Sequence, residues 1–160
     1  MSLLKIQIEV EGQRQPLTAE IERTVEAVMT LVRQYLPSGN ILLFERDKAH
    51  SFEFEHADGR HAVALVAHRA QRVLVKVHFE HRTEQHEFAP STVVNSVLRW
   101  AVHAFKLDET QTAKANLMLP GATEPLDRNI AIGTLFHHHE HQPCELTLEL
   151  TLKDFTNGAR

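Results

Sequence analysis

The sequence predicts an α+β protein of two tandem halves, each a mixed sheet with one helix packed across it. Period-2 alternation is the first observation, clearest at Leu4, Ile6, Ile8 and Val10 and at Leu146, Leu148, Leu150 and Leu152. The second is that two stretches of three-and-four spacing, Val25, Val28, Val32 and Val94, Leu98, Ala101, Phe105, each follow an expected hairpin. The third is a doubled order. Strand, strand, helix, strand, irregular segment, strand runs once before a pause at Arg69, Ala70, Gln71 and Arg72, and once after it. A chain of 160 residues has room for two small domains of roughly 70 to 90 residues. Period-2 segments exclude an all-helical fold, and the scarcity of helices between strands argues against a doubly wound sheet.

The elements follow in order. Lys5, Gln7 and Glu9 alternate with the apolar residues of the first strand, Glu11-Gly12 supplies turn chemistry, and residues 13–18 return as its partner. From about Ala19 the spacing becomes helical through Ile21, Val25, Val28, Val32 and Tyr35, until Pro37-Ser38-Gly39 stops it. Ile41, Leu42, Leu43 and Phe44 form a short strand. Phe52 and Phe54 alternate with Glu53 and Glu55, and Asp58-Gly59 is a hairpin signal leading into a strand over 61–68. In the second half, strands are expected over 73–79 and 85–89. Ser91 or Thr92 should cap the helix, Asp108 to Thr112 should end it, and Leu117, Met118 and Leu119 make a third strand before the last one. The first and last strands of each half are the most apolar, which suits central positions.

Charge and composition narrow the function classes. The formal charge is −4, with 17 basic against 21 acidic residues, and the basic residues are scattered singly. That is the reverse of the basic surface that phosphate neutralisation requires, so nucleic acid is not expected as the partner. No apolar run reaches the roughly 18 residues of a membrane span, and no signal-peptide core is legible, so a cytoplasmic protein without membrane association is expected. The single cysteine, Cys144, makes no internal disulfide and fits a reducing compartment.

From Arg72 to Gly158 the chain resembles a ubiquitin-like β-grasp domain. The likeness rests on element order, on Leu126, Asn129, Ile130, Thr134 and Leu135 as a Leu-x-x-Asn-Ile…Thr-Leu stretch, and on the final leucine-alternating strand. Residues 1–70 resemble the same fold more loosely, because nothing between Phe44 and Asp58 reproduces that stretch. The whole, read as domains over 1–70 and 71–153 with a tail over 154–160, resembles the tandem ubiquitin-like modifier of bacterial Bil-type antiphage operons. In layout it is also similar to the interferon-induced tandem modifier of vertebrates.

The resemblance implies a non-enzymatic protein with no cofactor of its own. A peptidase would cleave between Gly158 and Ala159, and Gly158 would then be joined to target lysines by isopeptide bonds. The implied partners are an activating enzyme that uses ATP, a conjugating enzyme and a zinc-dependent deconjugating peptidase, with phage structural proteins as targets. Thr147, Glu149, Thr151 and Phe155 would help dock the activating enzyme. Glycine suits the reacting end because it lacks a Cβ and leaves its carbonyl open to a nucleophile. Residues 153–158 can extend roughly 20 Å, enough to reach an enzyme's active site while the domain stays outside.

Two rival readings accompany this one. A β-grasp adaptor would use the fold only as a non-covalent binding surface. A metal-binding protein would use the run His137, His138, His139 and His141, since clustered imidazoles can hold zinc or nickel. That run lacks the H-E-x-x-H spacing of a helical site and is expected as a solvated loop. His78, His81 and His86 are expected as surface residues, Cys144 as a structural thiol and Trp100 as packing at the helix edge. No nucleophile elbow or phosphate loop is present.

Overall fold

A computed structural model describes residues 3–138 and 144–153. Leu4, Ile6, Ile8 and Val10 point to one side of β1 (Leu4–Val10), where they meet Val28 and Val32 of α1 (Val25–Val32). Each such burial is worth roughly 2 kcal/mol, enough to fix which face of the strand looks inward. β2 (Leu17–Ile21), β3 (Leu42–Glu45) and β4 (Ala62–His68) complete a sheet of order β2-β1-β4-β3. β1 and β4 pair in parallel, with Ile6 opposite Val63 and Ile8 opposite Leu65; the outer pairs are antiparallel.

The second half repeats this arrangement. β5 (Val73–Phe79), β6 (Arg82–Phe88), β7 (Asn116–Met118) and β8 (Glu145–Thr151) stand in the order β6-β5-β8-β7, with β5 and β8 parallel. α2 (Val94–Ala104) lays Val94, Val97, Leu98 and Ala101 on the core that Val75, Val77, Leu146 and Leu148 build. These are two tandem β-grasp, ubiquitin-like domains, and the most apolar strands are the central ones, as expected.

Several boundaries differ from the sequence reading. Ala19 and Ile21 belong to β2, because antiparallel pairing against Ile6 and Leu4 outweighs their helical spacing; α1 starts after Thr24, whose side chain accepts from the Ala27 amide at 3.2 Å. Residues Phe54–Ala57 form a 3-10 turn. Asp58-Gly59 therefore leads from that turn into a strand parallel to β1, not around a hairpin. The first half thus has a short helical turn before its last strand, in the place where Ile132–Leu135 forms one in the second. α2 ends at Ala104, and Asp108 opens α3 (Glu109–Lys114) with a reciprocal capping box to Gln111, at 2.8 and 3.0 Å.

The two domains meet on the side of the first sheet away from α1. Glu9 and Glu11 point there from the β1 side, Val66 and His68 from β4 and Phe44 from β3. Ala89 and Ala131 of the second domain pack on Phe44 and Val66. The outward face of β1 is therefore not uniformly solvated: Lys5 and Gln7 are exposed, whereas Glu9 and Glu11 are buried.

Candidate functional site

β8 lies between β5 and β7, so the strand nearest the carboxyl end is held on both edges. Leu146, Leu148 and Leu150 face the core, whereas Glu149 is exposed and Thr147 and Thr151 are half-buried on the opposite face. Register sets Thr147 beside Lys76, Glu149 between His78 and Met118, and Thr151 beside Asn116. Lys76 pairs with Glu145 at 3.4 Å. Such an exposed pair contributes little energy, but it fixes the charge pattern of this face.

The end of β8 is clasped. Lys153 donates its amide to the Thr151 hydroxyl at 3.3 Å, and its carbonyl accepts from the Asn116 side chain at 3.3 Å. Arg128 donates to Asn116 Oδ1 at 3.1 Å and to the Ala115 carbonyl at 2.9 Å. The chain thus leaves the sheet at a fixed point beside an open, polar face. Thr147, Glu149 and Thr151 come together on that face, while Phe155, Gly158 and Ala159 lie outside the described residues.

Of the histidine run, His137 and His138 lie at the domain seam. His137 packs its ring over Gly12, whose φ of +69° and lack of a Cβ admit the contact. The His138 amide donates to Glu11 Oε2 at 2.8 Å, and its Nδ1 lies 3.1 Å from Cys144 Sγ. His139 and His141 lie outside the described residues. Among the described residues no three His, Cys, Asp or Glu side chains are grouped to hold a metal. His78 pairs with the Thr83 hydroxyl at 2.7 Å, and His86 stacks on Trp100 at 5.7 Å, so Trp100 packs against the β6 edge.

Glu11, which the sequence showed only as a turn residue, is the electrostatic centre of the seam. Burial alone pushes its carboxyl up. Hydrogen bonds from the Arg69 guanidinium, at 3.0 and 2.5 Å, and from the His138 and Arg69 amides outweigh burial, helped by His68, and hold it at about 2. His68 shifts by burial to about 4, against the opposing pull of Glu11 and of the Phe136 main chain. Its Nδ1 accepts from the Ala70 amide at 2.9 Å, which places the neutral ring's proton on Nε2. Glu9 is raised by burial, against the Ala131 amide at 2.7 Å and Arg46. Among the described residues no nucleophile-base-orienter set accompanies these groups; the bonds of Glu9 and Glu11 to the Ala131 and His138 amides hold the main chain of one domain against the other.

The solved structures similar to the chain include the ubiquitin of Caldiarchaeum subterraneum, at 16% identity and a TM-score of 0.39, covering 49% of this chain and 90% of that one. An N-terminal ubiquitin-like domain solved in solution matches at 9% identity and 0.39, over 53% and 78%. An Arabidopsis thaliana protein solved by NMR matches at 15% and 0.39, over 57% and 98%. No curated protein matches. The family model described as BilA ubiquitin-like domain 2 matches residues 74–153, from β5 through the clasped end of β8. With half its length in that match, the chain belongs to the BilA ubiquitin-like family.

Proposed function

We propose that the protein is a ubiquitin-like modifier, joined to other proteins through the carboxylate of Gly158 once Ala159 and Arg160 are removed. The observation that carries this reading is the end of β8: a central strand, held on both edges, stops at a clasped Lys153 beside an open face. A body built this way offers enzymes a rigid grip close to the reacting end.

The chemistry belongs to dedicated partners. In an activating enzyme the Gly158 carboxylate attacks the α-phosphorus of ATP and pyrophosphate leaves. An enzyme thiolate then displaces AMP, and after transfer to a conjugating enzyme a target lysine amine displaces that thiolate, losing a proton as the isopeptide forms. A zinc-dependent peptidase supplies the first cleavage and later reversal. Thr147, Glu149, Thr151 and Phe155 serve as the docking residues for the activating enzyme. Antiphage defence in the cytoplasm is the setting, and phage structural proteins are the targets. The modifier itself performs no catalysis.

Substitution of Gly158 tests this. Co-expressed with the activating, conjugating and peptidase enzymes, the wild-type chain forms adducts larger than itself, whereas Gly158→Trp forms none while keeping its fold by circular dichroism. A Gly158→Trp protein that protects cells against phage as well as the wild type does would replace the modifier reading with a non-covalent adaptor.

A further inference from the structure

α2 begins without a side-chain cap. Val93 occupies the N-cap position and makes no side-chain cap bond. The amides of Val94 and Asn95 are taken by the Ile130 and Arg128 carbonyls, both at 2.9 Å. The Val93 amide donates instead to Asp47 Oδ1 at 3.2 Å, and the Ser96 hydroxyl lies 3.0 and 3.1 Å from the two Asp47 carboxylate oxygens. Asp47 belongs to the other domain, in the turn after β3. Its carboxylate sits where the positive end of the helix dipole favours an anion.

The backbone at Asp47 is unusual as well. Its φ is +62°, a region that L residues other than Asn and Asp rarely enter and that surrounding structure must hold. What holds it crosses the seam. The Asp47 amide donates to the Ser91 carbonyl at 2.8 Å, and the Ser91 hydroxyl, fully buried, donates to the Lys48 carbonyl. Further along the seam Gly12 donates to the Gly133 carbonyl at 3.2 Å, and Glu9 and Glu11 accept the Ala131 and His138 amides.

We infer that Asp47 is the pin of an interdomain lock: a carboxylate of the first domain holds the Val93 amide and the Ser96 hydroxyl at the start of the second domain's helix, so the two β-grasp units move and open as one body. The part of the first sheet's outer face formed by Phe44, Val66 and His68 is an internal joint.

Amide hydrogen exchange on the full chain tests the lock, independently of any conjugation. Asp47→Ala should speed exchange at the Val93 amide by about tenfold, the order of one lost hydrogen bond, while the amides of α1 and β1 keep their rates. Asp47→Asn, which keeps an acceptor and tolerates the same φ, should stay within a few-fold of wild type. Ser96→Ala added to Asp47→Ala should change little more, because both remove the same contact. Should Asp47→Ala fail to fold, residual dipolar couplings of the wild-type chain still decide: one alignment tensor fitting both sheets supports the lock. Separate tensors for the two sheets, or unchanged Val93 exchange in Asp47→Ala, would overturn it.

Discussion

Glu11 keeps its charge without contact with water because Arg69 and two main-chain amides replace the solvent it lost. Replacing it by Gln leaves the guanidinium of Arg69 poorly compensated. Glu11→Gln is therefore expected to lower stability by about 3 kcal/mol, read as a drop in the urea midpoint at unchanged m-value. The same seam makes stability depend on pH. His68 binds its proton near 6.5 when unfolded and near 4 when folded. Its contribution, about 3 kcal/mol, is complete above pH 6.5 and drains away as pH falls to 4. Glu11 acts in the same direction over a lower window, complete above 4.5 and lost toward 2. Glu9, being raised, contributes in the opposite sense, most at low pH. His68→Phe should thus delay the onset of acid destabilisation from about pH 6.5 to about 4.5. An onset that stays near 6.5 in urea titrations would assign it to other histidines.

Among the elements, those set by dense apolar periodicity were legible from the residues alone. β1, β5, β8 and α2 fall close to where Leu4 to Val10, Val73 to Phe79, Leu146 to Leu150 and Val94 to Ala101 place them. Boundaries set by partners distant in sequence were not legible. Ile21 reads as helix by its spacing until its register with Leu4 is known, and Ser91 reads as a cap until Lys48 of the other domain takes its hydroxyl. His68 was one of twelve histidines and Glu11 one residue before a glycine, since no local pattern marks a face that a second domain will cover. Two substitutions test the element-level account. Leu148→Ala, at a fully buried position of β8, should cost about 3 kcal/mol through the cavity it leaves. Asp108→Ala should cost about 1 kcal/mol by removing the α3 capping box. Chemical denaturation distinguishes the two, and a larger loss at Asp108 than at Leu148 would contradict the assignment of the core.

At the scale of the whole molecule, sheet, seam and strand end form one line of support for the tail. Gly133 sits at the seam: a Cβ there would come 2.9 Å from the Pro90 carbonyl of its own domain and from His68 Cδ2 of the other, so Gly133→Ala must displace one or both. It should weaken protection of the Gly12 amide, which donates to the Gly133 carbonyl, whereas unchanged protection would argue that the seam has slack. The fold and the family membership place this body among ubiquitin-like proteins; the reacting end is the remaining claim. Trypsin cuts after Lys153 and would leave Asp154 through Gly158 attached to a modified lysine. Tandem mass spectrometry of proteins captured from cells carrying the conjugating enzymes is the direct measurement. The account predicts lysine ε-amines bearing that Asp-Phe-Thr-Asn-Gly remnant, absent when Gly158 is replaced. Captured partners with only unmodified lysines, alongside chains that all still end in Ala159-Arg160, would contradict it.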